Sequence, residues 1–400
     1  MTANGGDFFR SVYAYPWDVA DEGTAAFADR LRALGADTVT LAAAYHAGKF
    51  LRPHGRAGKV YFPHDGTLAF RHDPAAYGRL KPAANRLLDT FDAFAALAAE
   101  APDFRRVAWI VACHNTRLGT ACPDVTARNC FDDRYPYSLC PAQPDVQDFV
   151  VALCRDAARA CVPAAIAVET PGWLPYEHGF HHEFAMMPLD DWTRLLLGLC
   201  FCDACIEGAQ EAGIDAQRLQ RRLAATLEDR LAAALPISAA RAQDQIAADL
   251  LQASELAAFL RWRCTVVTGL VERVRSALPE EIELWVIPSV QRPSARSWLE
   301  GSDLAELARA ADRLEICFYE TSAEEVALDL ADVRRRAGSS AVINAVLRPG
   351  WPDLAGGAET EAAVRALREE VASLAFYNYG HLPEPALARI GAGFRALEVP

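Results

Sequence analysis

The chain has no surplus of positive charge: 40 Lys and Arg stand against 53 Asp and Glu, for a net charge of −13. A phosphate-binding surface needs concentrated basic side chains, so no nucleic-acid partner is expected. The clusters Arg221-Arg222 and Arg334-Arg335-Arg336 lie in helical sequence with acids nearby and read as solvated helix faces. No uninterrupted apolar run reaches membrane-spanning length, so no membrane partner is expected either. The stretch Met1–Asp7 lacks a basic segment followed by an apolar core, and no secretion signal is expected there. Cysteine is present, but its eleven copies are an odd number without disulfide-framework spacing. That pattern suits reduced thiols and a cytoplasmic location. No internal repeat or low-complexity tract interrupts the chain. The expectation is a soluble cytoplasmic protein, with a homo-oligomer left open.

What is present is ample core material, 52% apolar against 23% charged residues. Short β-branched or aromatic runs recur at Phe8–Tyr15, Thr38–Tyr45, Arg106–Cys113, Ala164–Glu169, Glu283–Pro288, Leu314–Glu320, Ala341–Leu347 and Leu374–Tyr379. Stretches with helical spacing separate them, among them Gly23–Leu34, Pro82–Glu100, Pro144–Ala160, Ala323–Ala337 and Glu359–Ala372. Parallel strands need crossover connections, so eight strands alternating with helices predict a (β/α)8 TIM barrel. A doubly wound sheet would place a Gly-rich phosphate turn after the first strand, where this chain has Tyr15-Pro16-Trp17-Asp18. Long loops follow the second strand (Ala47–Gly78) and the third (Thr116–Pro141). After the fourth, residues 174–280 form a loop and then helices, roughly Leu189–Ala212, Asp215–Leu235 and Ala239–Leu278. The reading is one domain, 1–400, carrying that insertion.

In a parallel barrel the strand C-termini converge at one mouth. There the sequence places Tyr45 and His46, His114 and Asn115, Glu169, Glu320, Arg348 and Asn378. Rings cover the apolar face of a sugar, while amide, imidazole and guanidinium groups pair with its hydroxyls. Cleavage of a glycosidic bond needs two carboxyl groups, one to protonate the leaving oxygen and one to act as nucleophile or base. Glu169 and Glu320 are the candidates, with Glu177 and Glu183 in reserve. Trp173 is the stacking candidate and His178 a hydroxyl ligand. In Tyr176-Glu-His-Gly-Phe-His-His-Glu183, His178 and His182 would share a face on a helix, as metal ligands do, but Gly179 and Pro175 favour a loop.

Cys200-Phe-Cys-Asp-Ala-Cys205 puts three thiols into six residues, the spacing of a structural zinc knuckle. Cys140 is the first choice for a fourth ligand, ahead of Cys122, Cys130 and a histidine. Cysteines at i, i+2 and i+5 do not share one face of a helix, which disfavours simple packing. Such a zinc would pin the insertion, and no cofactor is expected for catalysis.

With Val168-Glu-Thr170 closing the fourth strand, Cys140-Pro-Ala-Gln-Pro-Asp-Val146 opening a helix and the Cys-x-Cys-x-x-Cys segment, the chain resembles the broad set of (β/α)8 glycoside hydrolases and hydrolase-like proteins. It lacks the Asn-Glu pair of the largest clan, with Val168 preceding Glu169, and Arg348 ends its seventh strand in place of a glutamate. The resemblance implies a glycoside hydrolase acting on a small glycoside or oligosaccharide. Two other readings stay open: a metal-dependent sugar isomerase, epimerase or lyase with the histidine run and Glu169 as ligands, and a non-catalytic carbohydrate-binding barrel.

Overall fold

A computed structural model describes residues 8–179 and 184–398. Eight parallel strands carry the architecture: β1 (Phe9–Ala14), β2 (Thr38–Tyr45), β3 (Arg105–Val111), β4 (Ala165–Glu169), β5 (Glu283–Ile287), β6 (Arg313–Cys317), β7 (Ile343–Leu347) and β8 (Ser373–Phe376). Each pairs with the next in sequence, and β8 returns to β1, which also pairs with β2. The sheet therefore closes on itself, as the alternation of strands and helices predicts. Closure leaves no open edge, and the helices between strands cover the outside.

Alternation along each strand sorts side chains inward and outward. Val12, Leu41, Ile110, Ile166 and Leu314 face the helices. Phe9, Val107, Ala165, Ala167 and Trp285 fill one end of the interior, and Tyr13, Ala42, Trp109, Val111, Ile287, Cys317, Val346 and Ala375 fill the other. Between these layers Ser11 and Thr40 share a hydrogen bond of 2.7 Å, and the Tyr13 hydroxyl donates to Glu315 at 2.9 Å. One irregularity matters for the mouth. β2 pairs Ala42 with Trp109 but Ala44 with Ile110, so an extra residue is inserted. A bulge of this kind reverses which face the following residues address. It turns Tyr45 inward, where strict alternation would have sent it out.

The loops are more structured than their sequence suggests. After β2, Phe50–Leu51 pairs with Val60–Tyr61, and Thr67–Leu68 adds antiparallel to β2. After β3, a helix at Thr116–Ala121 precedes a hairpin of Thr126–Arg128 and Arg134–Leu139. The helix expected over Pro82–Glu100 begins only at Ala93. The Asn85 side chain accepts from Leu87 N and starts a separate 3-10 turn, while Asp92 accepts from Ala95 N and caps the true helix. In the insertion, the helix expected over Leu189–Ala212 is broken into Asp191–Leu197 and Asp203–Glu211. Helices Ala216–Ala233, Ala239–Gln252 and Ser254–Ala277 follow.

The end of the barrel away from the mouth is closed by Trp285, fully buried, whose ring meets Phe9 edge-on at 5.2 Å. The Arg313 guanidinium lies over both rings and pairs with Glu283 at 2.9 Å. Trp285→Ala should cost about 3–5 kcal/mol of unfolding free energy, measured by denaturant melts. Trp351→Ala, at a residue 89% exposed, should change it by less than about 0.5 kcal/mol.

Candidate functional site

Glu169 is the last residue of β4, in register with Val111 of β3 and Ile287 of β5. Its parity follows that of Ala165 and Ala167, which face inward, so its carboxyl enters the barrel mouth. The Trp109 indole N–H donates to it at 2.6 Å. Burial pushes this carboxyl up to about 7, and the Trp109 hydrogen bond offsets only part of the rise. The residue keeps a partial opening to solvent.

Around it stands a ring of aromatic side chains. Tyr15 is fully buried, and its hydroxyl lies 3.0 Å from that of Tyr45, 3.2 Å from that of Tyr377 and 3.3 Å from His381 Nε2. Trp109 meets Tyr45 edge-on at 4.8 Å and Tyr377 at 5.9 Å. Burial raises the Tyr45 and Tyr377 phenols, and a charge on Glu169 raises them further, so both remain neutral donors around neutral pH.

The expected imidazoles gather on one side. His46 stacks on Tyr45 at 4.3 Å and on His114 at 4.1 Å, and His178 meets His114 edge-on at 5.5 Å. Burial lowers the His178 imidazole. His181, His182 and Glu183 lie outside the described residues. Asn115 and Asn378 have local duties: Asn115 accepts from Leu118 N at 2.9 Å, and Asn378 accepts from Gly380 N at 3.0 Å. Arg348 lies over the Tyr319 ring at 3.9 Å and pairs with the buried Asp353, which also pairs with Arg292. Glu320 follows β6 at the rim, half-buried. Burial is the main cause raising its carboxyl, with Asp329 raising it and Arg292 lowering it. Trp173 is fully enclosed, with the Arg263 guanidinium over its ring at 4.6 Å.

A further carboxyl stands near the mouth. Glu300 ends a 3-10 turn after β5 and accepts from the Ser289 hydroxyl at 2.6 Å, while its carbonyl accepts from Trp173 N at 3.1 Å. Burial, joined by the negative charge of Glu169, pushes it up to about 8 against the opposing Ser289 hydrogen bond. Its place in sequence, inside Arg296-Ser-Trp-Leu-Glu300, carries no strand-end signal.

The four expected cysteines converge. Cys140 Sγ lies 3.8 Å from Cys200 Sγ, 3.5 Å from Cys202 and 3.4 Å from Cys205, and all four thiols are buried. Four sulfurs around one zinc, at Zn–S near 2.3 Å, would stand about 3.8 Å apart. Arg128 N donates to Cys200 Sγ at 3.3 Å and Gln143 Nε2 to Cys202 Sγ at 3.5 Å, contacts that also suit metal-bound thiolates. The cluster could hold a metal ion. It exists because the expected helix breaks between residues 197 and 203, freeing Cys200 from helical geometry. Among the described residues, no other group of three or more His, Cys, Asp or Glu side chains has converging ligand atoms.

No protein-family model and no curated protein matches this sequence. Solved structures do match. The glycoside hydrolase domain of PgaB (BpsB) from Bordetella bronchiseptica aligns with a TM-score of 0.59 and 14% identity, over 96% of this chain and 98% of that one. The α-galactosidase from Lactobacillus brevis aligns at 0.48 and 11%, over 98% of this chain and 40% of that one. The spore cortex-lytic enzyme SleL of Bacillus megaterium QM B1551 aligns at 0.43 and 10%, over 97% and 74%. The neighbour that aligns at 0.59 is a glycoside hydrolase domain, and the likeness to it spans nearly the whole of both chains. At such identities the likeness is one of fold.

The raised carboxyl of Glu169 sets a sign for stability. Its value of about 7 lies above the ordinary 4.5, so the folded chain holds this proton more tightly than the unfolded chain. That contribution is complete below about pH 4.5 and lost as pH rises through about 7. Glu300 and Glu315 shift the same way, so a comparison with Glu169→Gln reads Glu169 together with its coupling to Glu300, which has the same sign. The Tm of the variant minus that of the parent should become more positive between pH 5 and pH 8. A difference that stays constant with pH would show that the Glu169 carboxyl is not raised.

Proposed function

We propose that this chain is a carbohydrate-active hydrolase that cleaves a glycosidic bond at the barrel mouth, with Glu169 and Glu320 as its carboxyl pair. The observation that carries the reading is Glu169 itself, an inward carboxyl at the C-terminal end of a barrel strand, raised to about 7 and ringed by tyrosines. A group titrating there is largely protonated at mildly acidic pH and can donate a proton to the departing glycosidic oxygen. Glu320, raised by burial with Arg292 opposing the rise, would act as nucleophile or base. Tyr45, His46, His114, His178 and Arg348 would orient hydroxyls, with Asn115 and Asn378 holding the loops that carry them. Enclosed as it is, Trp173 would support the Glu169 loop from beneath.

Zinc is our reading of the four thiols, in a structural role. The hairpin ending at Leu139 hydrogen-bonds to Cys113 and Asn115, next to His114, and the Tyr135 hydroxyl donates to Leu197 O at 2.8 Å. An ion at Cys140, Cys200, Cys202 and Cys205 would tie the β3 hairpin to the insertion and so steady one wall of the mouth. All eleven cysteines are free of disulfides, in keeping with a reducing, cytoplasmic setting. No described helix is long and apolar enough to cross a membrane.

A panel of chromogenic aryl glycosides from mildly acidic to neutral pH tests the activity. Hydrolysis of one sugar should fall by about a hundredfold or more in Glu169→Gln. Parent-level hydrolysis in the variant would remove Glu169 from the mechanism. Elemental analysis should find one zinc per chain, lost in Cys205→Ser together with several degrees of Tm. A metal-free parent with unchanged melting would remove the ion.

A further inference from the structure

A groove of about 680 Å³ opens beside β7 and β8, walled in part by Lys49, Phe50, Arg348, Trp351, Asn378 and Arg389. Tyr377 also lines it and packs against Trp109, the indole that donates to Glu169. Two rings, Tyr377 and Trp109, therefore separate the groove from the candidate acid.

Its charge runs against that of the molecule. The chain carries −13, yet no Asp or Glu lines the groove. The sequence has three lysines, of which Lys59 and Lys81 donate to backbone carbonyls. Lys49 is exposed and forms no ion pair among the described residues. Arg389 donates to Pro349 O at 3.1 Å and likewise has no carboxylate partner among the described residues. Arg348 shares the single carboxylate of Asp353 with Arg292, on whose side Glu320 also lies. Glu384, at the groove's far edge in sequence, is held by Arg30. His381 adds no charge at neutral pH, since burial lowers its imidazole.

Two other features suit a sugar. Trp351 is 89% exposed and offers an open indole on the groove wall. Asn378 is 1% exposed, and its Nδ2 has no hydrogen-bond partner among the described residues. A buried amide donor without a partner is costly unless something in the groove accepts from it.

We propose that this groove binds an acidic saccharide, one carrying a carboxylate or a sulfate ester. Trp351 stacks on a pyranose ring, Lys49 and Arg389 meet the negative group, and Asn378 donates to a ring substituent. The proposal names the substrate class of the glycosidase reading and rests on it for the event at Glu169, though not for binding.

Calorimetric titration of the full chain with matched oligosaccharides tests it. The pairs are oligogalacturonate against its methyl ester, hyaluronan fragments against their carboxyl-reduced form, and heparin fragments against desulfated ones. At least one acidic member should bind about tenfold tighter than its matched neutral or desulfated partner, which identifies carboxylate or sulfate as the group read. Its affinity should fall roughly tenfold between about 50 and about 300 mM salt. The double variant Lys49→Ala/Arg389→Gln, with parent-like melting, should lose about tenfold in affinity for that ligand alone. Equal or tighter binding of the matched partners, or undiminished acidic binding by the double variant, overturns the proposal. If neutral glycosides are cleaved in a Glu169-dependent way without an acidic preference, the groove assignment falls and the glycosidase stands. Acidic binding without cleavage leaves the groove assignment and removes the glycosidase.

Discussion

A carboxyl group held inside a ring of aromatic side chains sets the terms for the rest of this barrel's mouth. Desolvation favours its neutral form, and a single indole N–H at 2.6 Å gives back only part of the solvation it loses. Such a group persists only where the surrounding structure over-determines it. Here the register of β4 between β3 and β5 fixes the direction of Glu169, and the inserted residue in β2 brings Tyr45 round to complete the ring. Tyr15, touching three polar partners through one hydroxyl, locks β1, β2 and β8 around the same point.

The loops over the mouth are held by buried polar contacts rather than by apolar packing alone. Arg52, 6% exposed, joins the β2 loop to Asp18 and Asp21 on the helix after β1. The Tyr379 hydroxyl donates to Glu22 at 2.6 Å and ties in the β8 loop. On the opposite wall, the Arg128 guanidinium and amide meet Phe201 O and Cys200 Sγ, and the four thiols lie beyond them. Breaking one partner of such a pair leaves a buried charge or donor uncompensated, so these contacts specify where the loops sit more strongly than their number suggests.

The barrel was legible in the sequence because burial on both faces of a parallel strand leaves an apolar run that length and flanking turns set apart, as in Ala164–Glu169. Loop structure was hidden because short hairpins such as Phe50–Leu51 with Val60–Tyr61 have too few residues for a period to show. The helix over Pro82–Glu100 was overread: its apolar spacing is helical, but Asn85 and Asp92 compete locally for backbone N–H groups. Cys140 could be matched to Cys200–Cys205 because thiols carry their chemistry in their identity. Glu300 could not be found that way, since a glutamate in a 3-10 turn reads as surface until its neighbours are known. Trp173 shows the reverse: an aromatic residue in a Pro-Gly loop looks available, yet Arg263 covers its ring.

The acidic-saccharide groove and the raised carboxyl are linked by electrostatics. A negative substituent brought near Glu169 disfavours its ionised form, so binding would raise its pKa further and binding would in turn tighten as Glu169 takes up a proton. Lys49 and Arg389 oppose this by neutralising the ligand, and their distance from the carboxyl relative to the ligand's own decides the balance. Tyr377 and Trp109 stand between the cationic wall and Glu169. The same rings separate the groove from the carboxyl, so a bound anion acts on Glu169 most where its chain extends from the groove toward the mouth. Where the ligand's negative group lies nearer Glu169 than Lys49 and Arg389 do, it keeps Glu169 protonated to higher pH than in the free protein, the state in which it can donate a proton to a leaving oxygen.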